Sequence, residues 1–313
     1  MIRGIDPHEM SHSSHLHSTP ARAIGTVGIV AKASLAGVGT VLGEVADWLA
    51  ARGIRAVFER DTAALAGRRD LASPTKDELA RTVDLVLVLG GDGTLIGMAN
   101  RIVTADADIP ILAVNFGSLG FLTEITLPEL YSSLESTLSG TAGVEDRQML
   151  QSRVVRASRL LADRLVLNDV VITKGALSSL IDLSVSVSDQ FVTQVSADGL
   201  IVASPTGSTA YNLSAGGPIV HPAVAALLIT PIAPHTLTHR PIVIPARSEV
   251  RIRPKLDEAH EEAFVSFDGQ FGFQLRHDDL VTIQQAARPL KLVRAEARNY
   301  FAVLREKLKW GER

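Results

Sequence analysis

The sequence predicts an α/β N-terminal domain with a mostly parallel sheet, followed by a β-rich C-terminal domain of two sheets arranged like a sandwich. Three observations carry this. Short apolar runs at residues 27–30, 54–58, 85–89 and 109–114 alternate with stretches of helical periodicity, the pattern of βαβ units. Beyond about residue 140 the helical stretches almost vanish and runs of alternating polarity replace them. Glycine-containing turns follow directly on the third and fourth apolar runs, where open parallel sheets bind ligands.

In order, residues 1–23 carry His8, His12, His15 and His17 among serines and prolines. Nothing apolar there is available to pack, so a disordered leader is expected in preference to a metal-binding arm. Residues 24–144 form the α/β unit, with helices over 38–51 and 127–138 between its strands. Residues 145–288 form the β-rich unit, with strands expected at 152–156, 165–172, 180–188, 200–203, 250–252, 264–267 and 280–283. Residues 289–313 return to a helical pattern over 298–310, and we expect this segment to pack back on the first domain.

Composition narrows the function. A formal net charge of -3 argues against sequence-independent nucleic-acid binding, which needs a basic face. With no cysteine, disulfides and thiolate metal sites are excluded and a reducing cytoplasm is the expected compartment. No apolar run reaches the length of a membrane span, so no membrane role is expected.

The most specific chemistry lies in Gly90-Gly91-Asp92-Gly93-Thr94, directly after the apolar run at 85–89. Glycines remove the Cβ atoms that would block a phosphate. The residues from Thr94 onward read as the first turns of a helix, whose unpaired N–H groups would face the same space. A phosphate cradle holding one acid suggests phosphoryl chemistry. Residues 115–121, which include Phe116, follow the fourth run in the same way and should line the same crevice.

Two further segments stand out. Asn168-Asp169 interrupts a strand-like run although both residues disfavour strands. The pair reads either as a bulge or edge feature, or as an amide and a carboxylate placed to grip sugar hydroxyls. From Asp198 to Pro218, an apolar strand leads into Ser204-Pro205-Thr206-Gly207 and then a short helix capped by a hydroxyl. Ser204, Thr206, Ser208, Thr209, Tyr211, Asn212 and Ser214 crowd this corner. It reads as an elaborate cap or as a nucleotide site in which Tyr211 offers an aromatic surface, Asn212 and Ser214 hydrogen bonds, and Asp198 a charged anchor.

These three segments, in this order and spacing, resemble the NAD kinase family, as do residues 115–121, His235-Thr236-Leu237, Arg240-Pro241 and Asp268-Gly269-Gln270. The resemblance runs from about Thr26 to the C-terminus. The glycine turn alone is shared with lipid kinases, and the segment 198–218 discriminates. The resemblance implies a kinase that transfers the γ-phosphoryl group of ATP to the 2′-hydroxyl of the adenosine ribose of NAD. It makes Asp92 the proton acceptor, with Gly93 against the same ribose and Gly90, Gly91, Gly93 and Thr94 at the phosphates. Asn168 and Asp169 match the pair that binds adenine and the nicotinamide-side ribose. Asp198 matches a carboxylate at the nicotinamide end, and Thr209, Ala210, Tyr211, Asn212, Leu213 and Ser214 match the adenine-side pocket. Gln270 matches a further NAD contact, and Phe116, Ser196 and His235 stand beside these.

Two departures bear on the site. The family's pair is often Asn-Glu, whereas Asp169 is one methylene shorter, and Ser196 stands where some members carry arginine, a position that bears on NAD against NADH. A ribose hydroxyl is a poor nucleophile, so a positioned carboxylate must take its proton while cations and N–H groups neutralise the phosphates. Asp92, Asp169 and Asp198 are expected to converge and repel, raising the pKa of one of them. No protein metal site is expected, so magnesium arrives with ATP. A lipid kinase and a silent nucleotide sensor are the competing readings. Exposed β edges, with the family's habit, lead us to expect a homodimer or homotetramer.

Overall fold

The computed structural model describes residues 16–18, 23–67, 73–117, 119–176, 178–236, 238–257, 260–295 and 298–310. Its first half runs β1 (Leu16–Ser18), β2 (Thr26–Ala31), α1 (Val38–Ala50), β3 (Arg55–Phe58), α2 (Arg60–Leu65), α3 (Lys76–Leu79), β4 (Leu85–Leu89), α4 (Asp92–Thr104), β5 (Pro110–Asn115), β6 (Ile125–Thr126), α5 (Leu130–Leu138) and β7 (Gly143–Arg147). Within the expected leader, residues 1–15 and 19–22, with His8, His12 and His15, lie outside the described residues. Leu16–Ser18, by contrast, form a strand that pairs antiparallel with β7.

Every residue of β4 and β5 is buried, because helices cover both faces of a parallel sheet and leave no polar side. The strands β3, β2, β4 and β5 lie side by side in parallel. α1 buries Val38, Leu42, Val45, Ala46 and Leu49, one stripe at helical spacing, against the sheet. α3 starts with a capping box in which Thr75 and Glu78 bond each other's backbone N–H groups.

The second half runs β8 (Leu150–Arg156), β9 (Arg159–Val166), β10 (Asp169–Lys174), β11 (Ile181–Val187), β12 (Gln190–Ala197), β13 (Gly199–Ala203), α6 (Tyr211–Ser214), β14 (Ala226–Ile232), β15 (Ile242–Pro245), β16 (Val250–Lys255), β17 (Ala263–Phe267), β18 (Phe271–Leu275), β19 (Leu280–Gln285), β20 (Leu290–Val293) and α7 (Tyr300–Leu308). Two antiparallel sheets result, ordered β15-β14-β13-β10-β17-β18 and β12-β11-β16-β19-β8-β9. Leu183, Val185, Val202, Val265 and Ile283 meet in the core between them. The apolar run at 165–172 is two strands, not one. It breaks at Leu167-Asn168, and this break is the corner on which the site is built.

After the sandwich the chain rejoins the first sheet. β20 pairs parallel with β5 and antiparallel with β7. A buried ion network secures this return: Arg294 pairs with Glu145 and, at 3.0 Å, with Glu124, while the fully buried Arg147 donates to Glu145 at 3.2 Å. Arg298 donates to the Glu124 carbonyl at 2.9 Å, so the C-terminal segment holds the loop just beyond Thr123.

Candidate active site

The glycine turn lies at the carboxyl end of β4. α4 begins one residue after Gly91, so Asp92 itself is in the helix's first turn, earlier than the sequence suggested. Its carboxylate is held by a facing loop. Oδ1 accepts the N–H groups of Leu122 at 3.2 Å and Thr123 at 3.0 Å and the Thr123 hydroxyl at 2.9 Å, and Oδ2 accepts the Phe121 N–H at 3.0 Å. Asn115 Nδ2 donates to Thr123 Oγ1 at 3.0 Å, which turns the hydroxyl hydrogen toward Asp92. A carboxylate has about four lone-pair positions. Oδ1 is fully engaged, and Oδ2 keeps an open one. A Cβ on Gly120 would fall 2.1 Å from Asp92 Oδ1, so only glycine permits this approach. Phe116, expected beside the crevice, is half-buried and packs against the first domain's core. Ser118 lies outside the described residues.

The Asn168-Asp169 corner is fixed by two other segments. Asp268 Oδ1 accepts the N–H groups of Asn168 at 2.8 Å and Asp169 at 3.1 Å, and Oδ2 accepts that of Leu167 at 2.9 Å. Asp268 has φ 50, a left-handed conformation that aspartate tolerates better than most residues. From the other side Ser204 N donates to the Asn168 carbonyl at 2.8 Å and Ser204 Oγ to that of Leu167 at 2.5 Å. Gly207 lies so close that a Cβ would be 2.2 Å from the Asn168 oxygen. Asn168 Oδ1 and Thr206 Oγ1 are buried without partners among the described residues, which is what a ligand's N–H or O–H groups would satisfy.

Asp169 is 5% exposed and no donor among the described residues reaches its carboxylate. Burial first, and the Asp268 charge second, push it up to about 7. Gln270 joins the two loops by donating from Nε2 to the Gly93 carbonyl at 3.1 Å. The 268–270 turn therefore holds Asn168-Asp169 with one end and the first turn of α4 with the other.

The polar corner is more structural than its sequence suggested. Asn212, expected as a substrate contact, is fully buried. Its Nδ2 donates to the carbonyls of Ser208 at 3.0 Å and Pro218 at 3.1 Å, and its Oδ1 accepts the Thr230 hydroxyl at 2.6 Å. Ser208 Oγ likewise exchanges bonds with both backbone groups of Val220. No hydroxyl caps α6. Instead Ser204 Oγ accepts the Gly207 N–H at 3.1 Å. Tyr211 and Ser214 stay exposed, with Thr209, Ala210 and Leu213 half-buried beside them.

The expected convergence of Asp92, Asp169 and Asp198 does not occur within one chain. Asp169 pairs in register with Ala203 and Thr173 with Gly199, so Asp198 lies at the opposite end of β13, roughly 16 Å away at about 3.3 Å per residue. There it pairs with Lys174 at 3.3 Å, near Ser196, whose carbonyl accepts the His235 N–H. The acid that acts on Asp169 is Asp268. Leu237 lies outside the described residues.

Sequence reasoning quoted Asp268 without giving it a role, and missed the basic residues at the glycine turn. Lys32, Lys76 and Arg101 line a cavity of about 420 Å³ together with Gly91, Gly93 and Thr94. Lys32 had a legible signal, since it stands just past β2 on the side where the glycine turn falls.

Comparison with known proteins places both halves. The ATP-NAD kinase N-terminal domain matches residues 27–142, and the ATP-NAD kinase C-terminal domain matches residues 167–295. The NAD kinase of Geobacter sp. (strain M21) is 51% identical over 272 residues, covering 86% of this chain and 93% of that protein. The NAD kinase of Citrifermentans bemidjiense is 49% identical, with 86% and 93% covered. Yeast NADH kinase complexed with NADH superposes with a TM-score of 0.83 at 26% identity, over 94% of this chain and 90% of that one. An NAD kinase from Archaeoglobus fulgidus shares the fold, with a TM-score of 0.70 at 24% identity over 90% of this chain and 99% of that one.

Proposed function

The chain belongs to the ATP-NAD kinase family, and from that premise we infer that it transfers the γ-phosphoryl group of ATP to the 2′-hydroxyl of the adenosine ribose of NAD, giving NADP. It is a phosphotransferase with an alcohol acceptor. The observation that carries the reading at atomic level is the Asp92 carboxylate, fixed by four donors yet with an open position on Oδ2.

In this reading the acceptor lies against the Asn168-Asp169 corner, with the unpartnered Asn168 Oδ1 and Thr206 Oγ1 taking its polar hydrogens. Gly93 and the exposed Tyr211 flank it, with Thr209, Ala210, Leu213 and Ser214 on the adenine side. Asp92 Oδ2 takes the ribose proton as the oxygen bonds to the γ-phosphorus and the bond from that phosphorus to the β-phosphate oxygen breaks, so that ADP leaves. The four hydrogen bonds stop the carboxylate from turning away, which supplies positioning. Gly91 and Gly93 offer N–H groups and Thr94 a hydroxyl to the phosphates, whereas the Gly90 N–H is already given to the Val114 carbonyl and Gly90 is kept by family correspondence alone. Gln270, Ser196 and His235 are kept as NAD contacts by family correspondence alone, and Asp198 reaches an acceptor only at the far end of β13.

Magnesium belongs to the ATP substrate in this proposal, bound by phosphate oxygens. Among the described residues no three His, Asp or Glu side chains gather to hold a cation, and no step is assigned to a protein-held metal. A cytoplasmic location is proposed from the absence of cysteine. Among the described residues no helix is long and apolar enough to cross a membrane. A homodimer or homotetramer is proposed from the exposed apolar side chains Phe191 and Val192 on β12 and Ile242 and Val243 on β15, both edge strands. Sedimentation showing a monomer at micromolar concentration, or recovery outside the cytoplasmic fraction, would contradict these two points. The reaction itself is tested by incubating the chain with NAD and magnesium-ATP. NADP is the expected product, and phosphorylated diacylglycerol or no product would overturn the assignment.

A further inference from the structure

The donor's charge needs a counterpart, and the cavity beside the glycine turn holds candidates that the sequence did not single out. Lys32 is the first residue past β2 and Lys76 the first of α3. Both line the cavity of about 420 Å³ with Gly91, Gly93 and Thr94. Among the described residues neither lysine makes an ion pair. Arg101, the third cation in the wall, is already engaged, with Nε 3.5 Å from Asp77 and Nη1 donating to the Gly97 carbonyl at 2.6 Å. Asp61 also lines the cavity, and leaves it with an excess of positive charge.

Lys32 is tied to the turn by the sheet. Ala31 pairs in register with Leu89, and Lys32 N donates to the Leu89 carbonyl at 3.0 Å. A Cβ on Gly90 would meet Thr94 Oγ1 at 2.8 Å and Lys32 Cβ at 3.4 Å, so lysine, glycine turn and hydroxyl are in contact. Two unpaired ammonium groups at one concave wall repel each other, and an anion between them removes that cost. Ammonium groups on flexible stems suit phosphate oxygens as point charges. Gly91 and Gly93 flank Asp92 and line the cavity, so a phosphate lodged here lies beside the acid.

We propose that Lys32 and Lys76 bind the condensed-phosphate chain of the donor in the cavity they share with the glycine turn. This rests on the kinase reading above, which already puts the donor's phosphates at the glycine turn, and adds to it the two side chains that neutralise them.

The test uses Lys32→Ala and Lys76→Ala in the full chain; Lys32 is exposed and Lys76 half-buried, so both variants should fold. Steady-state rates are measured with magnesium-ATP and NAD varied in turn. Inorganic tripolyphosphate is titrated calorimetrically without NAD, which reads the cavity whether or not turnover occurs. Each substitution should raise KM for ATP roughly tenfold to a hundredfold, leave KM for NAD within about twofold, and weaken tripolyphosphate by a similar factor. Unchanged KM for ATP, or weaker ATP with undiminished tripolyphosphate binding, overturns the proposal. So does a parallel rise in both KM values with a lowered melting temperature, which marks structural damage. Lysine-dependent tripolyphosphate binding by a wild-type chain that makes no NADP would sink the kinase reading and leave this site standing.

Discussion

The Asp268 carboxylate accepts the backbone N–H of Asp169 at 3.1 Å, so one acid fixes the position of another while opposing its charge. Asp268 can do this because three N–H groups and the Asn100 amide converge on it. Asp169 has no such support, and burial keeps its proton on to about pH 7.

This arrangement has a stability signature. The folded chain binds a proton on Asp169 that the unfolded chain releases near 3.8, so folding is favoured most below that value and loses this contribution as pH rises through about 7. Asp268, also raised by burial, acts with the same sign. Asp169→Asn mimics the protonated form. Its stability relative to wild type should therefore increase between pH 5 and pH 8, by roughly 3 kcal/mol. Denaturant unfolding at the two pH values reads this, and a gap that closes or stays constant contradicts it.

Gly120→Ala tests the cradle around Asp92. A Cβ there would lie 2.1 Å from Asp92 Oδ1 and 2.3 Å from Thr123 Oγ1, so the carboxylate must move. Turnover should fall by about a hundredfold, the usual cost of a displacement of about 1 Å. Overpacking should also cost about 1–3 kcal/mol of stability. Wild-type kcat in a folded variant would show that the position of Asp92 does not matter.

Asn212→Ala separates a structural clamp from a ligand contact. Removing the amide strands the Ser208 and Pro218 carbonyls and the Thr230 hydroxyl in a buried place. The expected loss is roughly 2–4 kcal/mol in chemical unfolding. Unchanged stability with a raised KM for NAD would instead restore Asn212 as a substrate contact.

The first sheet was legible because a parallel strand covered on both faces is a continuous apolar run, as at 85–89 and 109–114. Half-exposed strands were harder. β9 and β12 carry exposed apolar residues such as Leu160 and Phe191 beside buried ones, which blurs the alternation. The glycine turn showed in sequence because a cluster of glycines follows a buried apolar run, and the Asn168-Asp169 corner because both residues are out of place inside a strand-like run. The role of Asp268 did not: Asp268-Gly269 signals a left-handed hairpin turn, but its carboxylate's partners lie about a hundred residues earlier in the chain. The convergence of Asp198 failed because order along the chain does not tell which end of β13 faces the crevice.

In the proposed reaction Asp92 takes the ribose proton. The most direct test is Asp92→Asn, with NADP formation from NAD and magnesium-ATP followed beside NAD binding at equilibrium. Three of the four donors still meet the amide oxygen and only the Phe121 N–H loses its acceptor, so the fold and the Kd for NAD should be retained. Turnover should fall by about a hundredfold or more, the contribution of a positioned general base. Near-normal turnover in a variant that binds NAD normally would contradict the account.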